Sequence, residues 1–231
     1  MLRFVSIALV MLTPSTWSLA PARIIFDRVA FQYETPWWRP LVSATPRRRQ
    51  YAVEDLTWTW EGPLVLLLLG DSSSGKSTVL QLIENPNRAS EGRVCVEGGS
   101  FSFAMAKFGN EPAIPLRDLL LANRDKLLEA VGLEGCHEKV PNELSPSERY
   151  RLELARQASA GKNIFLLDEW LDNEPTDIVC KVEKAIHNVA RETSGIVCIV
   201  THRPERFTCQ NKVTLSFGRV AHVEFGAAMV Q

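Results

Sequence analysis

Cysteine is sparse and scattered. Cys95, Cys136, Cys180, Cys198 and Cys209 are odd in number and form no C-x-x-C pair. That argues against a disulfide framework and against structural zinc, and leaves reduced thiols as the simpler reading. Neither sign of charge dominates: 26 basic and 27 acidic residues leave a formal net charge of -1. Such a balance gives no general attraction to nucleic acid or to an anionic membrane, so no nucleic-acid partner is expected. A membrane-spanning run is lacking too, because the apolar stretch from Phe4 to Leu12 is short and soon followed by Pro14. There is no internal repeat and no low-complexity tract. With 231 residues the chain has room for one large α/β domain, or a domain with a small subdomain.

The first residues read differently from the rest. Arg3 precedes an apolar core of signal-peptide length, Ser18-Leu19-Ala20 offers small residues for cleavage, and no acidic residue occurs before Asp27. Residues 1–22 are therefore expected to be a cleaved targeting segment, and residues 23–231 the folded domain. Hydroxyl residues are common here, which suits organelle import. Leu19-Ala20-Pro21 resembles the junction that follows the signal peptide in algae with complex plastids. The expected location is an organelle, with a plastid as the candidate. A misplaced start codon and a disordered tail are the alternatives.

The most informative stretch is Gly70-Asp71-Ser72-Ser73-Ser74-Gly75-Lys76-Ser77-Thr78, which fits the phosphate-binding pattern G-x-x-x-x-G-K-[ST] without a mismatch. Leu64 to Leu69 form the continuous apolar run of a strand buried on both faces, and Thr78 to Ile83 read as a helix opening. A strand feeding a glycine-bounded loop at a helix N-terminus points several N–H groups and the helix dipole at one spot. A polyphosphate fits there, with Lys76 reaching the β- and γ-phosphates and the Ser77 hydroxyl on Mg²⁺. A serine-rich turn that fits the pattern by accident is the bland alternative.

Along the chain, Ile24 to Tyr33 alternates as a strand, with Val29, Phe31 and Tyr33 on one side. Glu34 to Arg49 carries three prolines, two tryptophans and four arginines and reads as a surface loop. Leu56, Trp58 and Trp60 mark a second alternating strand before the Gly62-Pro63 turn. Asn85-Pro86-Asn87 stops the helix after the phosphate loop, and 92–96 and 100–103 give short strands. Pro115 to Gly161 turns helical, with Leu116, Leu119, Leu120, Leu127, Leu128 and Val131 at helix spacing. Asn163 to Leu167 is a buried strand, Thr176 to Ser194 an amphipathic helix, and Gly195 to Val200 another buried strand. Two terminal strands split by Gly218 complete an α/β pattern with a helical insert over about 104–160.

Three stretches narrow the function. They are Leu144-Ser145-Pro146-Ser147-Glu148, then Ile164-Phe165-Leu166-Leu167-Asp168-Glu169 trailed by Leu171-Asp172, and then Val200-Thr201-His202. Together they resemble the nucleotide-binding subunit of ATP-binding-cassette (ABC) ATPases: signature motif, Walker B strand with its following glutamate, D-loop and switch histidine. Tyr33 matches that family's adenine-stacking aromatic, although plain core packing would also explain it. The resemblance covers about residues 24–225. It implies a P-loop NTPase of ABC type, with a mostly parallel core sheet, an antiparallel β subdomain and a short helical insert. Asp168 would hold Mg²⁺ or its bound water, Glu169 would orient or deprotonate the attacking water, and His202 would sense the γ-phosphate. Ser145 would face ATP on a partner subunit, so that Mg-ATP is sandwiched in a homo- or heterodimer driving a separate transmembrane subunit. Asn211-Lys212-Val213-Thr214 lacks the aspartate a GTPase would offer.

Two departures leave other readings open. Pro146 and Ser147 stand where that family has two glycines, so one N–H is lost and a side chain gained. The segment from Phe103 to Pro112 contains no glutamine, and Asn110 is the nearest substitute as a metal-side ligand. A regulatory cassette with little turnover and a kinase-like P-loop enzyme with a helical lid are the rivals to an ATP hydrolase.

Overall fold

The computed structural model describes residues 20–33, 51–103 and 113–226, with backbone alone at Phe101–Phe103. Residues 1–19 of the expected targeting segment, the tryptophan- and arginine-bearing loop and Asn110 lie outside the described residues, while Ala22 is buried and its N–H donates to the Ser194 carbonyl oxygen at 3.0 Å. Among the described residues, nine strands and five α-helices run in the order β1 (Arg23–Phe31), β2 (Val53–Glu61), β3 (Leu64–Gly70), α1 (Lys76–Glu84), β4 (Glu91–Glu97), β5 (Phe101–Phe103), α2 (Leu116–Leu119), α3 (Arg124–Ala130), α4 (Pro146–Ser159), β6 (Ile164–Asp168), α5 (Thr176–Glu192), β7 (Ile196–Val200), β8 (Lys212–Ser216) and β9 (Arg219–Glu224).

They form a three-stranded antiparallel sheet, β2-β1-β4, and a six-stranded sheet, β5-β6-β7-β3-β8-β9. In the larger sheet only β9 runs antiparallel to its neighbour. The unbroken apolar runs have a simple cause. Val65, Leu67, Phe165, Leu167, Val197 and Ile199 face one core, shared with α3, α4 and α5. Their neighbours Leu64, Leu66, Leu68, Ile164, Leu166, Ile196, Cys198 and Val200 face a second, shared with α1 and the small sheet. A strand buried on both faces has no polar side to alternate with. All five cysteines are free thiols.

The helical stretch is broken rather than continuous. α2 ends at Leu119, and Asn123 takes a left-handed backbone (φ 49°) before α3 begins. Leu116, Leu120, Leu127, Leu128 and Val131 are buried all the same, so the apolar spacing reported the core face correctly and the helix breaks not at all. No helix among the described residues is long and apolar enough to cross a membrane.

The parallel arrangement fixes where chemistry can occur. Leu68 and Asp168 both pair with Val200, so β3, β6 and β7 end level at one edge of the sheet. The loops that follow them carry the phosphate-binding pattern, the acidic pair and the histidine. Ligands in open α/β sheets bind outside such carboxyl-terminal edges.

Candidate nucleotide-binding site

The loop after β3 needs glycine at both ends for steric reasons. Gly70 has φ 142°, and a Cβ there would lie 2.4 Å from the Leu215 carbonyl oxygen. Gly75 has φ 104°, and its Cβ would lie 2.5 Å from the Ala52 carbonyl oxygen. Ser73 between them is also left-handed, at φ 66°. α1 starts at Lys76, two residues before the sequence pattern placed it, and has no acidic residue in its first turn. Its dipole is therefore not neutralised by a side chain at the mouth of the loop.

Lys76 is only 6% exposed. Its Nζ donates to the carbonyl oxygens of Gly70 at 2.7 Å and Asp71 at 2.9 Å, so the ammonium lies folded across the loop. The Ser74 hydroxyl is buried inside the same loop without a hydrogen-bond partner. A buried orphan hydroxyl, a cationic side chain and an uncapped helix start are the donor set that a polyphosphate satisfies. Asp71, Ser72 and Ser73 are exposed around it, and Thr78 is buried at the base of α1.

Across the mouth, the Ser77 hydroxyl donates to Asp168 Oδ2 at 3.1 Å. Two adjacent oxygen donors suit Mg²⁺, which keeps most of its shell for water and phosphate oxygens. Glu169 follows Asp168 in a left-handed conformation, φ 52°, while its N–H extends the sheet by donating to Val200 O at 3.0 Å. Its carboxylate lies 3.0 Å from His202 Nε2. The structure thus brings Gly70 to Thr78, Asp168, Glu169 and His202 to one edge of the sheet.

Tyr33 is 49% exposed and is not a core residue. Its hydroxyl lies 3.1 Å from the Thr78 hydroxyl and its ring meets Phe31 edge-on at 4.8 Å, beside the first turns of α1. Ser145 belongs to another element. It caps α4, and both its N–H (2.8 Å) and its hydroxyl (2.6 Å) donate to Glu148 Oε2. Those bonds hold the Glu148 carboxyl below its ordinary pKa, with a smaller contribution from Lys139.

Sequence reasoning gave Asp172 and Thr201 no role of their own. Asp172 Oδ1 accepts from the Thr201 hydroxyl at 2.5 Å, and its Oδ2 accepts from the His202 N–H at 2.9 Å. The available signal was a polar residue on each side of the histidine's turn, but nothing in the spacing said that the two loops meet. Tyr150 on α4 donates to Glu174 Oε1 at 2.8 Å and stacks edge-on against Trp170. Burial first, and then this carboxylate, push its phenol up to about 12.

Fold and site together define a P-loop nucleotide-binding domain. The ABC transporter family model matches residues 53–172, just over half of the chain, and the chain belongs to that family. It is 29% identical over 190 residues to the taurine import ATP-binding protein TauB of Shigella flexneri, covering 72% of this chain and 74% of that protein. A Mycoplasma genitalium protein named as an ABC transporter ATP-binding protein is 30% identical over 168 residues, 59% of this chain. The chain spans only 35% of that relative's length. Among solved structures, cbiO1 of Clostridium perfringens, part of the ABC transporter complex cbiONQ, has a TM-score of 0.67 at 17% identity, covering 87% of each chain. The ADP conformation of MJ1267, an ATP-binding cassette of an ABC transporter, has a TM-score of 0.66 at 14% identity, over 89% of this chain and 91% of that one. At those identities the likeness speaks for the fold. Family members are in general ATP hydrolases that bind ATP with Mg²⁺, dimerise and work with membrane subunits.

Proposed function

We propose that this chain binds Mg-ATP at the loop 70–78, pairs with a second cassette around it, hydrolyses it and drives a separate membrane subunit. The contact between Ser77 and Asp168 carries the reading, because it puts metal-type oxygen ligands at the mouth of a loop built for phosphates. Bound Mg²⁺ would neutralise charge on the transferred phosphoryl group. Lys76 would exchange its two carbonyl partners for phosphate oxygens, and the amides at the start of α1 would hold the remaining charge. Glu169 would accept the proton of the attacking water or orient it, and His202 would hold that carboxylate in line. The Tyr33 ring, half exposed beside α1, would carry the base.

Glu169→Gln tests this reading. It should leave ATP affinity unchanged, nearly abolish phosphate release and accumulate an ATP-bound dimer on gel filtration. Unchanged turnover would remove Glu169 from the mechanism, and a folded wild-type sample that takes up no nucleotide would overturn the site itself. A regulatory cassette with little turnover is the second reading. It is favoured by the Ser145 hydroxyl and N–H, which Glu148 already occupies. Phosphate release by the protein, alone and with a membrane partner, separates the two. The organelle address stays with this proposal, and import of the full chain into isolated plastids would test it.

A further inference from the structure

The contact between Glu169 and His202 poses a question of magnitude. Their side chains are 56% and 44% exposed. An exposed pair of this kind contributes too little to hold two side chains and a left-handed backbone in one arrangement. Something else must fix the two loops that carry them.

The loops are joined at both ends. At one end the Asp172 carboxylate accepts from the Thr201 hydroxyl and the His202 N–H. At the other, the half-buried Arg206 closes the 3₁₀ turn Pro204–Arg206 on the histidine loop. It reaches back across the gap, where its Nη1 donates to the carbonyl oxygens of Glu174 at 2.7 Å and Asp172 at 3.2 Å. One nitrogen with two hydrogens thus holds two carbonyls of the turn that begins at Glu169 and lies between β6 and α5. Tyr150 fastens the side chain of the same Glu174 to α4.

We infer that Arg206 is a positioning residue for the hydrolytic pair: it clamps the turn 169–174 to the loop 201–206, so that Asp172 can fix the His202 backbone and His202 can meet Glu169. Arg206 acts through Asp172, whose carbonyl oxygen it holds. The inference rests on the hydrolytic reading above. A guanidinium suits the task because the two hydrogens on Nη1 lie in a fixed plane, whereas those of an ammonium turn freely on a flexible stem.

The experiment uses the full chain with Arg206→Ala and Arg206→Lys, measuring kcat, the KM for ATP, ATP affinity and amide exchange at 200–206. The clamp predicts that Arg206→Ala lowers kcat about tenfold, because loss of placement at a reacting group is felt in the chemical step. ATP affinity should stay within about twofold of the wild type, since the Arg206 side chain bonds Asp172 and Glu174 rather than the loop 70–78. The His202 and Arg203 amides should exchange faster, and the lysine variant should recover part of both effects. Unchanged kcat and unchanged exchange would overturn the inference. So would parallel losses of ATP affinity, Tm and kcat with lysine no better than alanine, because they would make Arg206 merely structural. If the wild-type chain binds ATP without turning it over, the hydrolytic reading fails separately. Exchange at His202 then decides the clamp: faster in Arg206→Ala supports it, unchanged overturns it.

Discussion

Replacing Lys76 by methionine should separate binding from stability. The side chain is buried, its two hydrogen bonds go to carbonyls at the rim of the loop, and no carboxylate among the described residues pairs with it. Methionine keeps the apolar stem and removes the charge. The nucleotide-free protein loses two hydrogen bonds to partly exposed carbonyls, about 1 kcal/mol net, or about 2–4 °C in Tm for a chain of this size. Binding loses more. Contacts from an ammonium to phosphate oxygens are charge-assisted, and about 3 kcal/mol for the pair corresponds to about a 100-fold rise in Kd. Ligand stabilisation amplifies the difference. ATP at about 100 times the wild-type Kd should stabilise the wild type by about 2.7 kcal/mol and Lys76→Met by only about 0.4 kcal/mol. Calorimetric titration with Mg-ATP and thermal melts with and without nucleotide read both quantities. Mg-ATP binding by Lys76→Met within about threefold of the wild type would refute the assignment of this loop as the phosphate site.

Phe217 offers a test in the opposite direction. It sits at φ 48° in a two-residue hairpin with its side chain 92% exposed, so it carries the cost of a left-handed backbone without burial in return. Phe217→Asn should raise stability by about 1 kcal/mol and leave ATP affinity unchanged; a lower denaturation midpoint would show that the ring has a partner. The Ser145–Glu148 cap predicts a pH effect with a definite sign. Because folding lowers the Glu148 pKa, its contribution is complete above the ordinary value of 4.5 and is lost as pH falls through the lower folded value. Ser145→Ala should cost about 1 kcal/mol at neutral pH and flatten that acid limb in denaturant titrations; an unaltered limb would assign it to other carboxylates.

Much of the site was legible because its chemistry is local in sequence. The loop 70–78 is one continuous pattern, and the buried runs at 64–69, 164–167 and 196–200 announced strands covered on both faces. The common register of Leu68 and Asp168 on Val200 then follows from parallel pairing. Ambiguity remained where one side chain serves two purposes. The alternation ending at Tyr33 suited a core residue and a platform equally, and only its exposure beside Thr78 sets it outside the core. The clamp at Arg206 was illegible, since it joins residues 32 and 34 positions apart through backbone carbonyls, which carry no residue identity. The breaks between α2 and α3 were hidden for a related reason: apolar spacing reports which face is buried, and Leu116 through Val131 keep one face across two short helices.

The starts of α1 and α4 treat negative charge in opposite ways. α1 begins after an uncapped glycine, has no acidic residue in its first turn and leaves the Ser74 hydroxyl unpaired beside it. α4 begins with a proline that has no N–H, behind a serine whose N–H and hydroxyl both meet a carboxylate of the same helix. An anion arriving at α1 gains donors and a lysine. At α4 it would have to displace Glu148, break a cap that stabilises the helix by about 1 kcal/mol and approach a like charge. The same physics that suits the first to phosphate therefore makes the second a poor place for it. If two cassettes sandwich ATP between a loop and a facing helix start, a pair of identical copies would place the closed start of α4 opposite both nucleotides.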